Sequence, residues 1–202
     1  RTSTGVRGVK LAKGDKVISM SILRSGEAES TEERDAYLRY ANARRRGENG
    51  NGEAAQENGI ELSPERLAEL AEGEQFILSV ANDGYGKRTS AYEYRLTGRG
   101  GRGIGNLDLS RAGGRESGVV AAFPVAPGDQ IMLVTDGGKL IRSPVEDIRI
   151  AGRTTRGVML FRIDESERIV SVAHLPEEDD EDENGETAAP PTGAAEAPPE
   201  TS

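Results

Sequence analysis

The feature that most constrains the fold is a repeat within the chain. Residues 77–104 align without a gap to residues 131–158, so that matched positions lie 54 residues apart. Residues 1–6 align in turn with residues 153–158, which adds a partial copy at the beginning. A repeated unit of this length buries its apolar face only against a neighbouring copy. Matched pairs include Ile77 with Ile131, Val80 with Val134, Gly84 with Gly138, Arg88 with Arg142, and Gly103 with Gly157.

Each copy predicts four short strands, as the last copy illustrates. Residues 130–135 form an apolar run, and the Asp-Gly-Gly of residues 136–138 is a hairpin turn signal. Residues 139–143 alternate basic and apolar side chains, and β-rich runs at 157–163 and 168–173 follow. Four antiparallel strands in about 50 residues are typical of a propeller blade. The predicted fold class is therefore all-β, with propeller-like blades of four antiparallel strands.

The repeat divides the chain into five segments. We predict a partial blade at 1–24, an insertion at 25–75, a blade at 76–125, a blade at 126–175 and a disordered acidic tail at 176–202. Two and a half blades cannot close a ring, and the chain does not begin with Met. We therefore expect it to be part of a longer protein.

The insertion carries helix signals where the blades carry strand signals. Ser30, with a glutamate three residues later, forms a capping box that predicts a helix over 31–46. Residues 47–59 are polar and rich in Gly and Asn, which predicts a flexible segment. A second helix is predicted to begin after Ser63, with Pro in its first turn, and to end at Gly73.

The net charge of −9 conceals a basic body. The insertion carries a charge of −7, and the last 27 residues hold ten acidic residues and no Lys or Arg. What remains holds 20 basic and 12 acidic residues, for a charge of +8. A basic body favours a polyanionic partner, and an acidic tail would compete with that partner for the basic surface; the alternative is a tail that only aids solubility.

Composition excludes several kinds of site. The chain has no Cys, hence no disulfide, thiolate metal site or Cys nucleophile, and its one His, His174, excludes a multi-histidine metal centre. No apolar run approaches the ~18 residues of a membrane span, and no P-loop is present. The acidic run at 177–183 is a weak candidate for Mg²⁺ and more simply a solvated segment. We expect no catalytic, cofactor-binding or metal-ligating residues in this chain.

Motifs rich in Gly and Arg recur in order within both complete copies, and they resemble the C-terminal domain of the A subunit of DNA gyrase, a type IIA topoisomerase. The resemblance covers roughly 1–24 and 76–175. Its fold is a β-pinwheel, and this chain is similar to its last part with the acidic tail. A weaker counterpart of the family's Gln-Arg-Arg-Gly-Gly-Lys-Gly box lies at 98–103. The motifs are the segments 83–89, 93–95, 98–103, 134–139, 142, 144–149, 152–153 and 157–158.

The resemblance implies a module that binds and wraps double-stranded DNA and supports ATP-dependent negative supercoiling of closed circular DNA. It implies a bacterial, cytoplasmic, chromosome-associated protein whose partner is the gyrase B subunit in an A2B2 heterotetramer. ATP and Mg²⁺ would be bound by other parts of that assembly. Two alternatives stay open: the topoisomerase IV counterpart, and a propeller that binds other proteins.

Wrapping needs phosphate contacts, which Lys and Arg supply by charge and Gly by close backbone approach. The alternative for the glycine-rich loop at 98–103 is a tight corner, and for residues 87–88 a charged edge strand. The predicted DNA-binding residues are Lys87, Arg88, Arg99, Gly100, Gly101, Arg102, Lys139, Arg142, Arg153 and Arg156.

Other polar and aromatic residues have simpler expected roles. Arg95 and Arg149 have acidic neighbours, Glu93 and Asp147, which predicts ion pairs. Tyrosines at 85, 92 and 94 either stack on bases or fill the packing between strands. The three arginines at 44–46 either complement the end of the first predicted helix or contact DNA.

Overall fold

The computed structural model describes residues 2–24, 28, 30–47, 60–110 and 117–177. The flexible segment expected at 47–59 and the acidic tail expected from residue 176 lie almost wholly outside these ranges. In the described ranges the elements, in chain order, are α1 (Thr31–Arg45), α2 (Pro64–Glu72), β1 (Phe76–Ala81), β2 (Tyr85–Ser90), β3 (Val119–Val125), β4 (Gln130–Thr135), β5 (Leu140–Pro144), β6 (Val158–Met159) and β7 (Ile169–Leu175).

The two complete copies fold with the same register. Val80 on β1 pairs with Gly86 on β2, and Val134 on β4 pairs with Leu140 on β5, which are the matched positions. The outer pairings repeat as well: each first strand has a register shift one residue before its end, after Val80 in one copy and after Val134 in the other. The repeat in the sequence is thus a repeat in hydrogen bonding, down to its irregularities.

The sheets do not coincide with the sequence units. The first sheet has the order β3-β1-β2-β6 and the second the order β5-β4-β7. The third strand expected for the last copy, at 157–163, shortens to β6 and pairs with β2 of the preceding copy, Gly86 opposite Val158. The first sheet therefore contains a strand donated by the following unit.

This exchange requires glycine at its centre. Gly157, just before β6, has φ +88°, and a Cβ there would overlap the carbonyl of Gly86. The amides of Leu160 and Phe161 then both donate to the Gly84 carbonyl, at 2.8 and 3.2 Å. Only a residue without a side chain permits the strands to approach so closely in a left-handed backbone conformation.

The main core lies between the two sheets. The sheets share one cluster of buried apolar side chains, because each contributes the inward residues of its first strand. Val145 and Ile148, in the connection that follows β5, complete it. The cluster comprises Leu78, Val80, Val125, Ile131, Leu133, Val145, Ile148 and Ile169.

The partial copy at the beginning is extended and exposed. Its β-branched run at 17–22 pairs with no strand of the described residues. Ser19 Oγ donates to the Ala122 carbonyl on β3 at 3.0 Å, while Met20 and Ile22 are nearly fully exposed.

The insertion folds as two capped helices, as the sequence predicted. Ser30 Oγ accepts from the Glu33 amide at 3.1 Å, and Ser63 Oγ from the Arg66 amide at 3.2 Å. Gly73 is the C-cap of α2, and α1 ends at Arg45 with Arg46 as its cap. No helix in the described part of the chain is long and apolar enough to cross a membrane.

The insertion is fastened at its two ends and through its helices. Where the insertion leaves and rejoins the blade, the Gln75 amide side chain accepts from the Arg24 amide at 2.9 Å and donates to the Arg24 carbonyl at 3.2 Å. Tyr92, after β2, packs edge-on against Tyr37 of α1 with 5.3 Å between ring centroids, and its hydroxyl donates to the Leu70 carbonyl at 3.1 Å.

Candidate nucleic-acid interface

Lys87 lies in the interior and does not reach the surface. Its side chain is fully buried, and Nζ donates to the carbonyls of Gly152, Arg153 and Thr155 at 2.5, 2.6 and 2.8 Å. Burial lowers the pKa of Lys87 to about 8. In most molecules at neutral pH Lys87 is therefore still an ammonium group, with one N–H for each of the three carbonyls. The expected phosphate contact is therefore replaced by an internal one, in which Lys87 holds the loop at 152–157.

Arg88 is directed inward as well. Its Nε donates to the Ile148 carbonyl at 2.6 Å and a terminal nitrogen to the Glu146 carbonyl at 2.9 Å. Its main chain forms two hydrogen bonds with residues 149–151. The Arg88 amide donates to the Arg149 carbonyl, and the Arg88 carbonyl accepts from the Ala151 amide. Adjacent residues of β2 are both buried because residues 152–155 of the connection cover the Lys87 side chain and residues 146–148 cover that of Arg88. Arg88 thus serves packing rather than the DNA contact expected from the sequence.

The second glycine-arginine loop, residues 152–157, presents two arginines from a fixed backbone. The Arg153 amide donates to Glu93 Oε2 at 2.6 Å, and its guanidinium donates to the Gly105 carbonyl. Arg156 lies 3.5 Å from the centroid of the Tyr85 ring and 3.2 Å from Asp83 Oδ2. About a quarter of the Arg156 side chain stays exposed, and Asp83 balances part of its charge.

The first glycine-arginine loop, residues 98–103, pairs with the partial copy. The Gly100 amide donates to the Gly8 carbonyl at 2.8 Å, and the Lys10 amide to the Gly101 carbonyl at 2.7 Å. The Gly100 amide is therefore engaged within the protein, contrary to the expectation that it holds a phosphate. Arg99 and Arg102 are exposed on this loop.

The segment that follows the first loop contacts the second loop. The Asp108 amide donates to the Thr155 carbonyl at 3.2 Å, beside the bond from Arg153 to Gly105. Pairing of 8–10 with 100–101 adds two further exposed cations that the sequence did not single out. We call the resulting set the basic band: Arg7, Lys10, Arg99, Arg102, Arg153 and Arg156.

The two cations of the second hairpin differ from each other. Lys139 Nζ lies 2.6 Å from Asp164 Oδ2 and 3.0 Å from Glu167 Oε2, and both carboxylates raise its pKa. Its charge is thus balanced locally. Arg142 is exposed, with Nε donating to Gln130 Oε1 at 2.6 Å.

In the described ranges the tyrosines take part in internal packing, and the ion pairs predicted for two arginines are absent. The ion pairs predicted for Arg95 and Arg149 do not form within the described ranges, where Glu93 binds the Arg153 amide and Arg149 is exposed. The tyrosines fill packing: Tyr85 supports Arg156, Tyr92 contacts the insertion, and the Tyr94 hydroxyl donates to Asn106 Oδ1. Over the same ranges no group of three His, Asp or Glu side chains is placed to hold a metal ion.

One signal in the sequence does point to the interior position of Lys87. The repeat aligns Lys87 with Ile141, an apolar residue on β5. A strand position filled by isoleucine in one copy is more often inward than outward, and the structure has Lys87 inward. No comparable signal marks Lys10 or Arg149.

Comparison with known proteins adds independent findings. A family model described as DNA gyrase C-terminal domain, beta-propeller, matches residues 1–24, 75–109 and 129–176. The A subunit of DNA gyrase from Granulibacter bethesdensis is 51% identical over 200 residues, covering 93% of this chain and 21% of the relative. The corresponding protein of Rickettsia bellii, which bears the same name, is 47% identical over 187 residues, covering 91% of this chain and 20% of the relative.

The chain therefore spans about a fifth of the length of the curated relatives it matches. Among solved structures, a DNA gyrase A C-terminal domain aligns with a TM-score of 0.46 and 26% identity. That alignment covers 50% of this chain and 34% of the other.

Proposed function

Because the chain belongs to the family of DNA gyrase C-terminal β-propeller domains, we propose that it is a DNA-binding and DNA-wrapping module of a gyrase A subunit. The observation that carries this proposal is the basic band, in which the second glycine-arginine loop is hydrogen-bonded to Gly105 and Asp108, just after the first loop. It binds duplex DNA through phosphates, because its cations are carried by loops and guanidinium and ammonium groups pair with phosphates of any sequence.

The chemistry of the band suits binding without sequence preference. Guanidinium groups neutralise phosphates and release condensed counterions, which favours binding to any duplex. Among the predicted contacts, the arginines that keep some exposure are Arg99, Arg102, Arg142, Arg153 and Arg156. The surrounding main-chain hydrogen bonds fix the loops in advance, which lowers the ordering cost of binding.

In the whole protein this module supports ATP-dependent negative supercoiling, a DNA topoisomerase reaction, without itself changing any bond. The gyrase B subunit is then a partner through the rest of the A subunit, in an A2B2 assembly. ATP and Mg²⁺ act elsewhere in that assembly. Such a protein works in the bacterial cytoplasm on the chromosome.

A salt titration tests the binding. The affinity of the chain for three duplexes of unrelated sequence is measured over a range of KCl concentrations from about 50 to about 300 mM. Five phosphate contacts give a slope of log K against log salt of about −4.5, and the three duplexes should agree within a few-fold. A shallow slope, or little binding at any salt concentration, contradicts the proposal and favours a propeller that binds other proteins.

Closure of nicked circles tests the wrapping. The chain is bound to nicked plasmid, the nick is ligated, the protein is removed and the linking number is compared with that of a protein-free control. Wrapping shifts the linking number in one direction in proportion to bound protein. Steep salt-dependent binding without any shift would leave a DNA-binding module that does not wrap.

A further inference from the structure

A cleft of about 670 Å³ separates the C-terminal end of α1 from the connection between β5 and β6. Five of its lining residues are arginines, two from the insertion, one from β2 and two from the connection: Arg45, Arg46, Arg88, Arg149 and Arg156. Glu146 is the acidic residue that lines it. The same cleft is lined by Thr155 and Gly157, so it is continuous with the loop at 152–157.

The walls of the cleft are fixed by the protein itself. On the α1 side, Arg45 forms an ion pair with Glu74 and lies 5.4 Å from the centroid of the Phe76 ring. Arg88 lies 5.9 Å from the same ring, and its amide donates to the Arg149 carbonyl at 3.1 Å. The insertion and the connection are thus joined through β1 and β2 at the base of the cleft. Contacts within the protein therefore hold the side chains of Arg45 and Arg88 in place.

The local charge differs from that of the segment it belongs to. The insertion as a whole carries a charge of −7, and α1 has Glu32 and Glu33 in its first turn. At the other end its arginines meet those of the connection. Burial, and to a smaller extent the nearby charge of Arg45, lowers the pKa of Arg88.

The helix dipole accounts for only part of this arrangement. Cations in the last turn of α1 complement its carbonyl end. That reasoning does not apply to Arg149 and Arg156, which come from another sequence unit and face the same space. Convergence of cations from two units points to an anionic ligand.

We propose that this cleft binds phosphates of the DNA backbone, so that the helical insertion extends the path of the duplex beyond the basic band. The inference rests on the proposed function and names a further part of the same interface. A cleft of this size is in the range of small-ligand sites and has room for a phosphate with its sugar. Sequence specificity is not expected, because the contacts are to phosphates.

Two arginines and a matched control test the proposal in the full chain. Arg46→Ala and Arg149→Ala, alone and together, remove charge from exposed positions of the cleft. Arg44→Ala is the control: it removes the same charge from the same helix end, but Arg44 lines a separate groove with Tyr40 and Leu67. Arg46→Lys keeps the charge.

The expected result follows from counterion release. Each phosphate contact contributes about 0.9 to the salt slope, or roughly eightfold in affinity at about 0.1 M salt. The double variant should lose about 1.8 from the slope and up to about 60-fold in affinity. Arg44→Ala and Arg46→Lys should bind like the unsubstituted chain. A double variant that keeps the original slope overturns the inference, whereas an unsubstituted chain without a salt slope overturns the proposed function itself.

A measurement on the unsubstituted chain avoids any effect of substitution on folding. Arginines are modified with phenylglyoxal with and without a duplex of about 40 base pairs, long enough for several phosphate contacts, and the modified positions are identified by mass spectrometry. Protection of Arg46 and Arg149, with Arg44 reacting equally in both samples, supports the cleft. Equal reactivity of all three in the presence of DNA, while Arg99 and Arg102 become protected, contradicts it.

Discussion

Replacing Lys87 by Met should loosen the loop that carries Arg153 and Arg156. Methionine has a similar length and fills a similar volume, so the change chiefly removes the ammonium. Among the described residues, the Arg153 carbonyl has no donor other than Lys87 Nζ, and a buried carbonyl without a partner costs about 1–3 kcal/mol. The carbonyls of Gly152 and Thr155 each keep a second donor, from the amides of Thr155 and Asp108.

The net effect is smaller than the sum of the three bonds. Taking a buried ammonium out of the protein returns part of its desolvation cost. We therefore expect the free energy of unfolding to fall by about 2 kcal/mol, which corresponds to a Tm lower by about 4–8 °C for a chain of this size. The control is Ile141→Met at the matched position of the second sheet, a change of shape that should cost less than about 1.5 kcal/mol.

Urea unfolding and amide exchange measure the two consequences separately. The Lys87→Met variant should unfold at lower urea concentration with an unchanged m value. Its amides at 153–157 should exchange faster than in the unsubstituted chain, while those of β4 keep their original rate. If the variant is as stable as Ile141→Met and its loop amides exchange at the original rate, Lys87 does not hold the loop. It would then be a buried charge that apolar packing can replace without loss.

Further predictions concern the strand exchange, an acid-sensitive contact, the basic band and the tail. Gly157→Ala should cost at least about 2 kcal/mol more than Gly103→Ala, its repeat partner with similar φ but open space around the Cβ position, as read from chemical denaturation. Burial disfavours ionisation of Asp129, but bonds from the Ala126 and Glu177 amides and from His174 outweigh it and lower its pKa. Its ionised form therefore stabilises the fold above about pH 4 and less as pH falls through its folded pKa. Asp129→Asn should accordingly be less stable near neutral pH, and the difference should shrink in acid denaturation below about pH 4. Replacing both Arg99 and Arg102 by Ala should reduce the salt slope for every duplex alike by up to about 1.8; an unchanged slope would assign that loop to turn geometry alone. Removing residues 178–202, which hold nine acidic residues, should tighten DNA binding at low salt, because a tethered polyanion competes at an effective concentration on the order of mM; affinity equal to that of the full chain would contradict competition.

Local patterns in the sequence predicted the hairpins and the helix ends well. The apolar run at 130–135 became β4 with those bounds, since a strand followed by Asp-Gly leaves little choice of turn. Ser30 and Ser63 cap their helices through the bonds expected of them. These features depend on neighbours in the chain, and the repeat supplied a second copy against which to read the strands.

What the sequence could not predict depends on contacts between distant segments. Nothing near Val158 indicates that its partner is Gly86 of another unit. Alternation along β2 suggested that Lys87 or Arg88 points outward, but a distant segment covers both side chains: residues 152–155 cover Lys87, and residues 146–148 cover Arg88. Likewise, the closeness of Arg153 to Gly105 arises from stacking of the units.

The strand that crosses from one unit to the preceding sheet gives the array a direction. Inserting one more whole unit between the two would supply a crossing strand at each new junction, so recombination can change the number of units in single steps. The two ends of such an array are never equivalent, however: β5 lies at the edge of the second sheet in the described residues, where β2 of the first sheet is covered. We therefore expect the insertion or deletion of a whole unit to be tolerated when the crossing strand stays intact. A change that interrupts the crossing strand should destabilise the fold.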